Sequence, residues 1–367
     1  KIENLNEEIK TTIIKQTLEA AKNQEEGGLI EEDNLSDVVA DIVVKTDAAT
    51  AAKVIEEVNN TETESTLSLK VMSGISDKDA NKINQLAETN KESIDKLTEK
   101  AVQSAKSTNA DSQLIAKVVA VASEEIANKV VSEVSKNATA EKQSLSAKVL
   151  KAIVETQPSK IETLNAEIKT TVISQAIEAA KNQQEGTSTD EEDLSNTVAE
   201  IVTKADNDTA AKVLESLDEA TTGTESKLAL TVVNNLTKQE NYEEKIEILS
   251  VTSSIVEQNI TKLVEKAVES AQSDEDLEIV TNLVENSKGT LSNKVLDSAN
   301  NNEATKKKVS EVIVKIVEKN PEKAVEIIEK NQNTNTVTET IKTKIENNEA
   351  ITTEDFDEVF ETNVSPN

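Results

Sequence analysis

The chain has 367 residues, 70 of them acidic and 40 basic, for a formal charge of −30 at pH 7. That excess repels nucleic-acid phosphates and anionic membrane surfaces, so neither is expected as a partner. There is no His and no Cys, and every basic residue is Lys, which removes the side chain that titrates near neutral pH, the thiolate nucleophile and the bidentate anion fork of Arg.

Hydrophobic residues are 36 % of the chain and aromatic ones 1 %. A core of this composition favours many thin interfaces between short helices over one large aromatic-rich globule. No run of about 18 apolar residues occurs, so membrane insertion is not expected.

Residues 1–56 align without a gap to 160–215, with 35 of 56 positions identical. A repeat this long signals an array. It divides the chain into copy 1 at 1–159, copy 2 at 160–322, and a remainder at 323–367 that reads as a degenerate third copy or a C-terminal docking or capping segment. Pro158 and Pro321 precede each new start, where proline ends one helix and is tolerated in the first turn of the next.

In chain order, Ile2, Leu5, Ile9, Ile13, Ile14, Leu18 and Ala21 fall at helical spacing, and Ile161, Leu164, Ile168, Val172, Ile173, Ile177 and Ala180 repeat the stripe. An amphipathic helix of about six turns is expected in each copy. Ser159 and Glu162 have the spacing of a capping box before the second. The Ser that would match in copy 1 falls before Lys1, and the chain opens on Lys rather than Met. A processed product, or part of something longer, is therefore expected. Polar, glycine-containing breaks follow at 23–34 and 182–193.

Beyond the first break, Leu35, Val38, Val39, Ile42 and Val43 form one stripe, and Ala51, Val54, Ile55 and Val58 the next. Turns are expected at Asp47 to Thr50 and, in copy 2, at Asp206 to Thr209. Such pairs are helical hairpins, the unit of α-solenoids. Leu67, Leu69 and Val71 alternate as a strand would. With Met72 and Ile75 they also fit a helix, which is the reading adopted, because a lone strand has no pairing partner.

A short motif of a small or polar residue, Lys, Val and an aliphatic recurs at Ala52–Ile55, Asn128–Val131, Ala147–Leu150, Ala211–Leu214 and Asn293–Leu296. It implies several related hairpins per copy. Its lysine is expected to stay wet and to cover apolar surface with its stem.

No motif carries catalysis. The six glycines form no phosphate-cradling loop, and no base is placed beside a Ser or Thr. The acidic clusters Glu31–Asp33, Asp190–Asp193, Asp206 with Asp208, and Asp274–Asp276 lack the EF-hand pattern. No cofactor is expected, Ca²⁺ being the one ion whose ligand chemistry they suit. Both phenylalanines, Phe356 and Phe360, sit at i,i+4 behind Thr352 and Asp355, which have capping-box spacing. In a chain so poor in aromatics they mark either a docking helix or a plug that closes the array.

The pattern resembles α-solenoids in general and matches no tetratricopeptide or ankyrin consensus. The expected fold is all-α, with tandem helical-hairpin repeats forming an elongated α-solenoid or a chain of helical modules. The expected function is a non-enzymatic structural or adhesive repeat segment of a larger acidic protein, extracellular or at the cell surface. It would bind a protein partner or copies of itself, assembling end to end. An intracellular, cytoplasmic scaffold that binds a cationic protein partner is the alternative.

Overall fold

The computed structural model of the chain describes residues 9, 12–20, 35–60, 66–186, 193–221, 227–286, 290–298, 303–319, 343–347, 349–352 and 355. Among them every regular element is helical and none is a strand, so the fold is all-α, built from tandem helical hairpins. The segment with strand-like alternation is a helix, as expected.

The hairpins alternate in kind. A plain pair, α1 (Leu35–Lys45) and α2 (Ala48–Asn59), precedes a pair α3 (Leu67–Lys78) and α5 (Lys91–Ser104) whose connection holds a short helix, α4 (Lys82–Thr89). The plain pair α6 (Asn109–Val121) and α7 (Glu124–Val134) follows. Then come α8 (Ala140–Thr156) and α10 (Ala166–Gln184) with the single turn α9 (Ser159–Glu162) between them. The order then replays: α11 (Leu194–Lys204) with α12 (Asn207–Ala220), α13 (Leu228–Leu236) and α15 (Ser254–Ser270) around α14 (Tyr242–Thr252), α16 (Asp274–Asn286) with α17 (Thr290–Ser298), and α18 (Glu303–Lys319). Among the described residues the repeat thus has a period of four hairpins, the fourth, α8 with α10, spanning the join between the two copies.

Helices pack both on their own hairpin partners and on their counterparts in the next hairpin. First helices α1, α3, α6 and α8 lie in succession, as do second helices α2, α5 and α7. The same succession links α13 to α16 and on to α18, and α15 to α17. The chain packs as two compact units, one of Lys1–Ala179 with Lys204–Thr209, the other of Ala180–Thr203 with Ala210–Asn367.

The core follows from the composition. Among the described residues the buried apolar side chains are Ala, Val, Leu and Ile, with Met72 the one exception. Small side chains permit close approach: a Cβ on Gly74 of α3 would stand 2.9 Å from the Cβ of Ala40 in α1. The Val and aliphatic positions of all five copies of the short motif are buried.

Two expectations need correction. The motif lysine does not simply stay wet, since Lys148 is buried and Lys129 and Lys294 are half-buried. Nor does copy 2 open on one helix of about six turns capped by Ser159. The helix breaks between Glu162 and Ala166, and Pro158, with no side-chain cap bond, precedes the turn α9. The break belongs to Asn165, whose side chain accepts from the Glu167 N–H at 2.9 Å and whose own N–H donates to the Asn128 side chain at 2.7 Å. Asparagine offers the backbone a cap in place of a continuing turn, and α7 holds that cap in place. Ile161 and Leu164 stay buried on either side of the break.

Candidate functional site

Phe356 and Phe360 lie outside the described residues. What precedes them is in view: the Asp355 carboxylate accepts from the Thr352 N–H at 2.8 Å and pairs with the Lys344 ammonium. This is half of the expected capping box. The Asp355 N–H turns to the Thr352 carbonyl at 3.2 Å, where a full box would use the hydroxyl. The bonds from Lys344 and Thr352 overcome partial burial and hold the Asp355 carboxyl below its usual range.

Of the acidic clusters, Asp193, Asp206 and Asp276 serve as helix caps, as does Asp47, whereas Asp208 and Asp274 pair with Lys169 and Lys315. Asp47 opens α2 by accepting from the Ala49 and Thr50 N–H groups at 3.0 Å each, and Asp206 does the same for α12 through the Thr209 N–H at 2.9 Å. Asp193 caps α11 through Ser195 and Asn196. Asp276 closes a full capping box with Ser273, whose hydroxyl accepts from the Asp276 N–H while the carboxylate accepts from the Ser273 and Gln272 N–H groups, all at 3.1 Å. Burial would raise the Asp276 carboxyl. The Ser273 bonds, the Lys227 ammonium at 3.1 Å and the Gln272 N–H outweigh it and lower its pKa to about 2. Glu31–Asp33 and 190–192 lie outside the described residues. Among those described, no three His, Cys, Asp or Glu side chains come together as a cation-binding group.

The lysines form a second, longer-range network. Lys82 in α4 donates to the Thr46 carbonyl just past α1, at 3.0 Å. Lys160 in α9 occupies the matching place in its hairpin and donates to the Ala122 carbonyl past α6, at 2.5 Å. Lys142 reaches the Val102 and Ala105 carbonyls at the end of α5, at 2.8 and 3.1 Å, and Lys148 reaches Ser107 at 2.8 Å. Lys308 does the equivalent at Ala271, past α15. Lys266 takes both the carbonyl and the carboxylate of Asp218, each at 2.6 Å.

For all but Lys148, whose acceptor Ser107 lies in the loop ahead of α6, the physical reason is the same. The last carbonyls of a helix have no internal partner and carry the negative end of its dipole, so an ammonium group is held there. Asn84 completes the stitching from α4, donating to the Val121 carbonyl at 3.3 Å and accepting from the Ser123 N–H at 2.7 Å. Helix α4 thereby ties the ends of α1 and α6. These partners are 36 to 48 residues apart, beyond any local pattern. Their trace in the sequence is a Lys or Asn recurring about one hairpin after each helix end.

One surface feature stands outside the caps and ties. Of the large apolar side chains that are exposed, three fall within eight residues at the corner joining α14 to α15: Ile248 at 40 %, Val251 at 80 % and Ile255 at 64 %. Ile246 and Leu249, on the opposite face of α14, are buried, so the helix is apolar on both faces here.

No family model matches the chain, and no curated protein matches it. Among solved structures it is similar to a circular tandem repeat protein with novel repeat topology and enhanced subunit contact surfaces. The identity there is 15 % and the TM-score 0.29, over 97 % of this chain and 95 % of the other. It is also similar to a chain from the computational design of self-assembling cyclic protein homooligomers, at 17 % identity and a TM-score of 0.12, over 97 % and 98 %. Both scores are too low to lend a property to this chain.

Proposed function

We propose that the chain is a non-enzymatic structural segment of a larger acidic protein, displayed at the cell surface and joined end to end with further copies through its C-terminal segment. The observation that carries this reading is where the charged groups go. Lys82, Lys142, Lys148, Lys160 and Lys308 are spent on main-chain carbonyls of earlier hairpins, and Asp47, Asp193, Asp206 and Asp276 on helix starts. Groups committed in this way hold a repeated array together and have little freedom to act as nucleophile, acid or base, which need an open approach to substrate. Among the described residues no helix is long and apolar enough to cross a membrane.

The surface assignment rests on acidity, the absence of cysteine and the long tandem repeat, 35 of 56 positions identical in its opening window. Brief protease treatment of intact cells, followed by detection with an antibody raised against residues 66–186, tests it. Loss of the antigen while a cytosolic marker survives is the expected result. Full protection in intact cells with digestion after lysis would place the protein inside and sink the surface reading.

A further inference from the structure

We propose that the corner between α14 and α15 is a docking surface for a cationic amphipathic segment of another protein. Three observations lead there.

The first is that this apolar exposure does not come from folding. The corner has a counterpart in copy 1, where Ile83 and Leu86 of α4 match Ile246 and Leu249 of α14, and all four are buried. On the outer face the match fails: Gln85 and Glu88, both exposed, stand where copy 2 has Ile248 and Val251. The sequence joining this corner to the conserved Lys–Leu pair is also three residues longer in copy 2, and it brings in Ile255. Copy 1 builds the same corner with a polar exterior, so the aliphatic exterior of copy 2 answers to something other than stability.

The second is that the exposed side chains are concentrated in one corner of the chain. Isolated exposed aliphatics are ordinary, whereas a clustered apolar patch rimmed by polar residues marks an interaction site. Ile248 and Val251 are at i,i+3 on one helix, and Ile255 lies in the first turn of the next, past the extended Ser253. The Ser253 hydroxyl caps that turn by accepting from the Ile255 N–H at 3.2 Å, so the corner is held in place without a partner.

The third is the charge around the patch, which selects the occupant. Glu244, Glu247 and Glu257 are exposed in this stretch, against one half-buried lysine, Lys245, and Glu257 is already paired with Lys294 at 3.6 Å, so Glu244 and Glu247 carry the open negative charge. Apolar contact framed by carboxylates fits a helix with aliphatic residues at i, i+3 or i+4 and Lys or Arg at its edges. The C-terminal segment of this chain, with five Asp or Glu and no Lys between 353 and 367, is repelled by the same rim. A second copy carrying −30 is repelled as well. The proposal goes beyond the structural role and does not depend on the compartment.

The test uses the full chain and a synthetic amphipathic Leu/Lys peptide, with a peptide of the same composition scrambled to destroy the apolar face. Binding is read by fluorescence anisotropy at two ionic strengths, and circular dichroism confirms folding. The variant carrying Ile248→Gln, Val251→Glu and Ile255→Ser takes the first two substitutions from copy 1, which folds with those residues. It is expected to lose at least about tenfold in affinity for the amphipathic peptide, while the scrambled peptide binds weakly and equally to both proteins. The variant carrying Glu244→Gln, Glu247→Gln and Glu257→Gln is expected to bind with a smaller salt dependence.

Equal binding of both peptides, or of wild type and aliphatic variant, would mean diffuse attraction to an acidic protein and overturn the proposal. So would no binding of the amphipathic peptide. Sedimentation of wild type and variant covers the remaining occupant: self-association lost in the aliphatic variant would assign the corner to a second copy and overturn the cationic one.

Discussion

Asp47 and Asp206 occupy the same place in the two copies, and each accepts from the N–H and the hydroxyl of the Thr three residues on. Replacing either by Ala leaves a first-turn N–H without its partner. It should cost about 1 kcal/mol locally, the usual value for a lost N-cap. Hydrogen exchange should be faster in 48–51 for Asp47→Ala and in 207–210 for Asp206→Ala. Each change should be silent in the other copy, since sites with no shared partner add independently.

Asp276 makes a pH-dependent case. Its carboxyl titrates near 2 in the fold against a reference of 3.8. The folded pKa is depressed, so the stabilisation is complete above about pH 4 and disappears as the pH falls toward 2. The difference corresponds to about 2 kcal/mol. In Asp276→Asn the exchange protection of α16 should be lower at neutral pH and change little between pH 4 and 2. An Asn variant with the wild-type acid profile would move the effect to other carboxylates.

The copies also show one site solved in two ways. Asn59 donates its amide to the Ser93 carbonyl at 2.8 Å, whereas Asp218, at the matching position, receives Lys262 and Lys266. Burial opposes ionisation of Asp218, and the two ammonium groups reverse that and hold its carboxyl low.

At the level of elements, local pattern announces what is local. Helix α3 was legible because Leu67, Leu69, Met72 and Ile75 share a helical stripe and a lone strand had nothing to pair with; all four are buried. The turns before α2 and α12 were legible from Asp47 and Asp206. The break at Asn165 was not, because the apolar stripe runs through it from Ile161 to Ala180. The decisive bond comes from Asn128, 37 residues away. The lysine ties were missed for the same reason, since a periodicity search places a residue on a face and is blind to what that face meets. The abundance of Ser, Thr and Asp between helices is largely accounted for by capping, as with Thr108, Ser123 and Thr139.

The contact of α1 with α3 offers a test at this scale. Gly74→Ala gains up to about 1 kcal/mol in helix propensity. It also places a methyl 2.9 Å from the Ala40 Cβ and 3.2 Å from the Asp37 carboxylate. A Cβ fixed to a helix backbone cannot swing aside, and overpacking of this kind costs about 1–3 kcal/mol. The net result should be a loss of about 1 kcal/mol, measured as a lower denaturant midpoint for copy 1. Pairing it with Ala40→Gly should recover part of the loss as a favourable coupling in the double-mutant cycle. A Gly74→Ala chain more stable than wild type would show that the two helices slide apart at little cost. At the matching position copy 2 carries Asn235, buried and donating to Asp193 at 3.0 Å, so the repeat tolerates a side chain there when it has a polar partner.

For the molecule as a whole, the charge governs association. A body with a formal −30 repels its own copies, and the repulsion is long-ranged at low ionic strength. Added salt contracts its range to about 10 Å at 0.1 M, leaving the short-range apolar contacts to act. If the C-terminal segment joins copies end to end as proposed, the weight-average mass should rise with salt at fixed protein concentration. A further rise with millimolar Ca²⁺ at constant ionic strength would mean that the ion bridges acidic groups between molecules. The aromatic pair is the segment's one concentrated source of apolar contact, so Phe356→Ser with Phe360→Ser should abolish the salt-driven rise while leaving the helical signal unchanged. A double variant that assembles like wild type would remove the docking role from these two residues and leave them as a plug that closes the array.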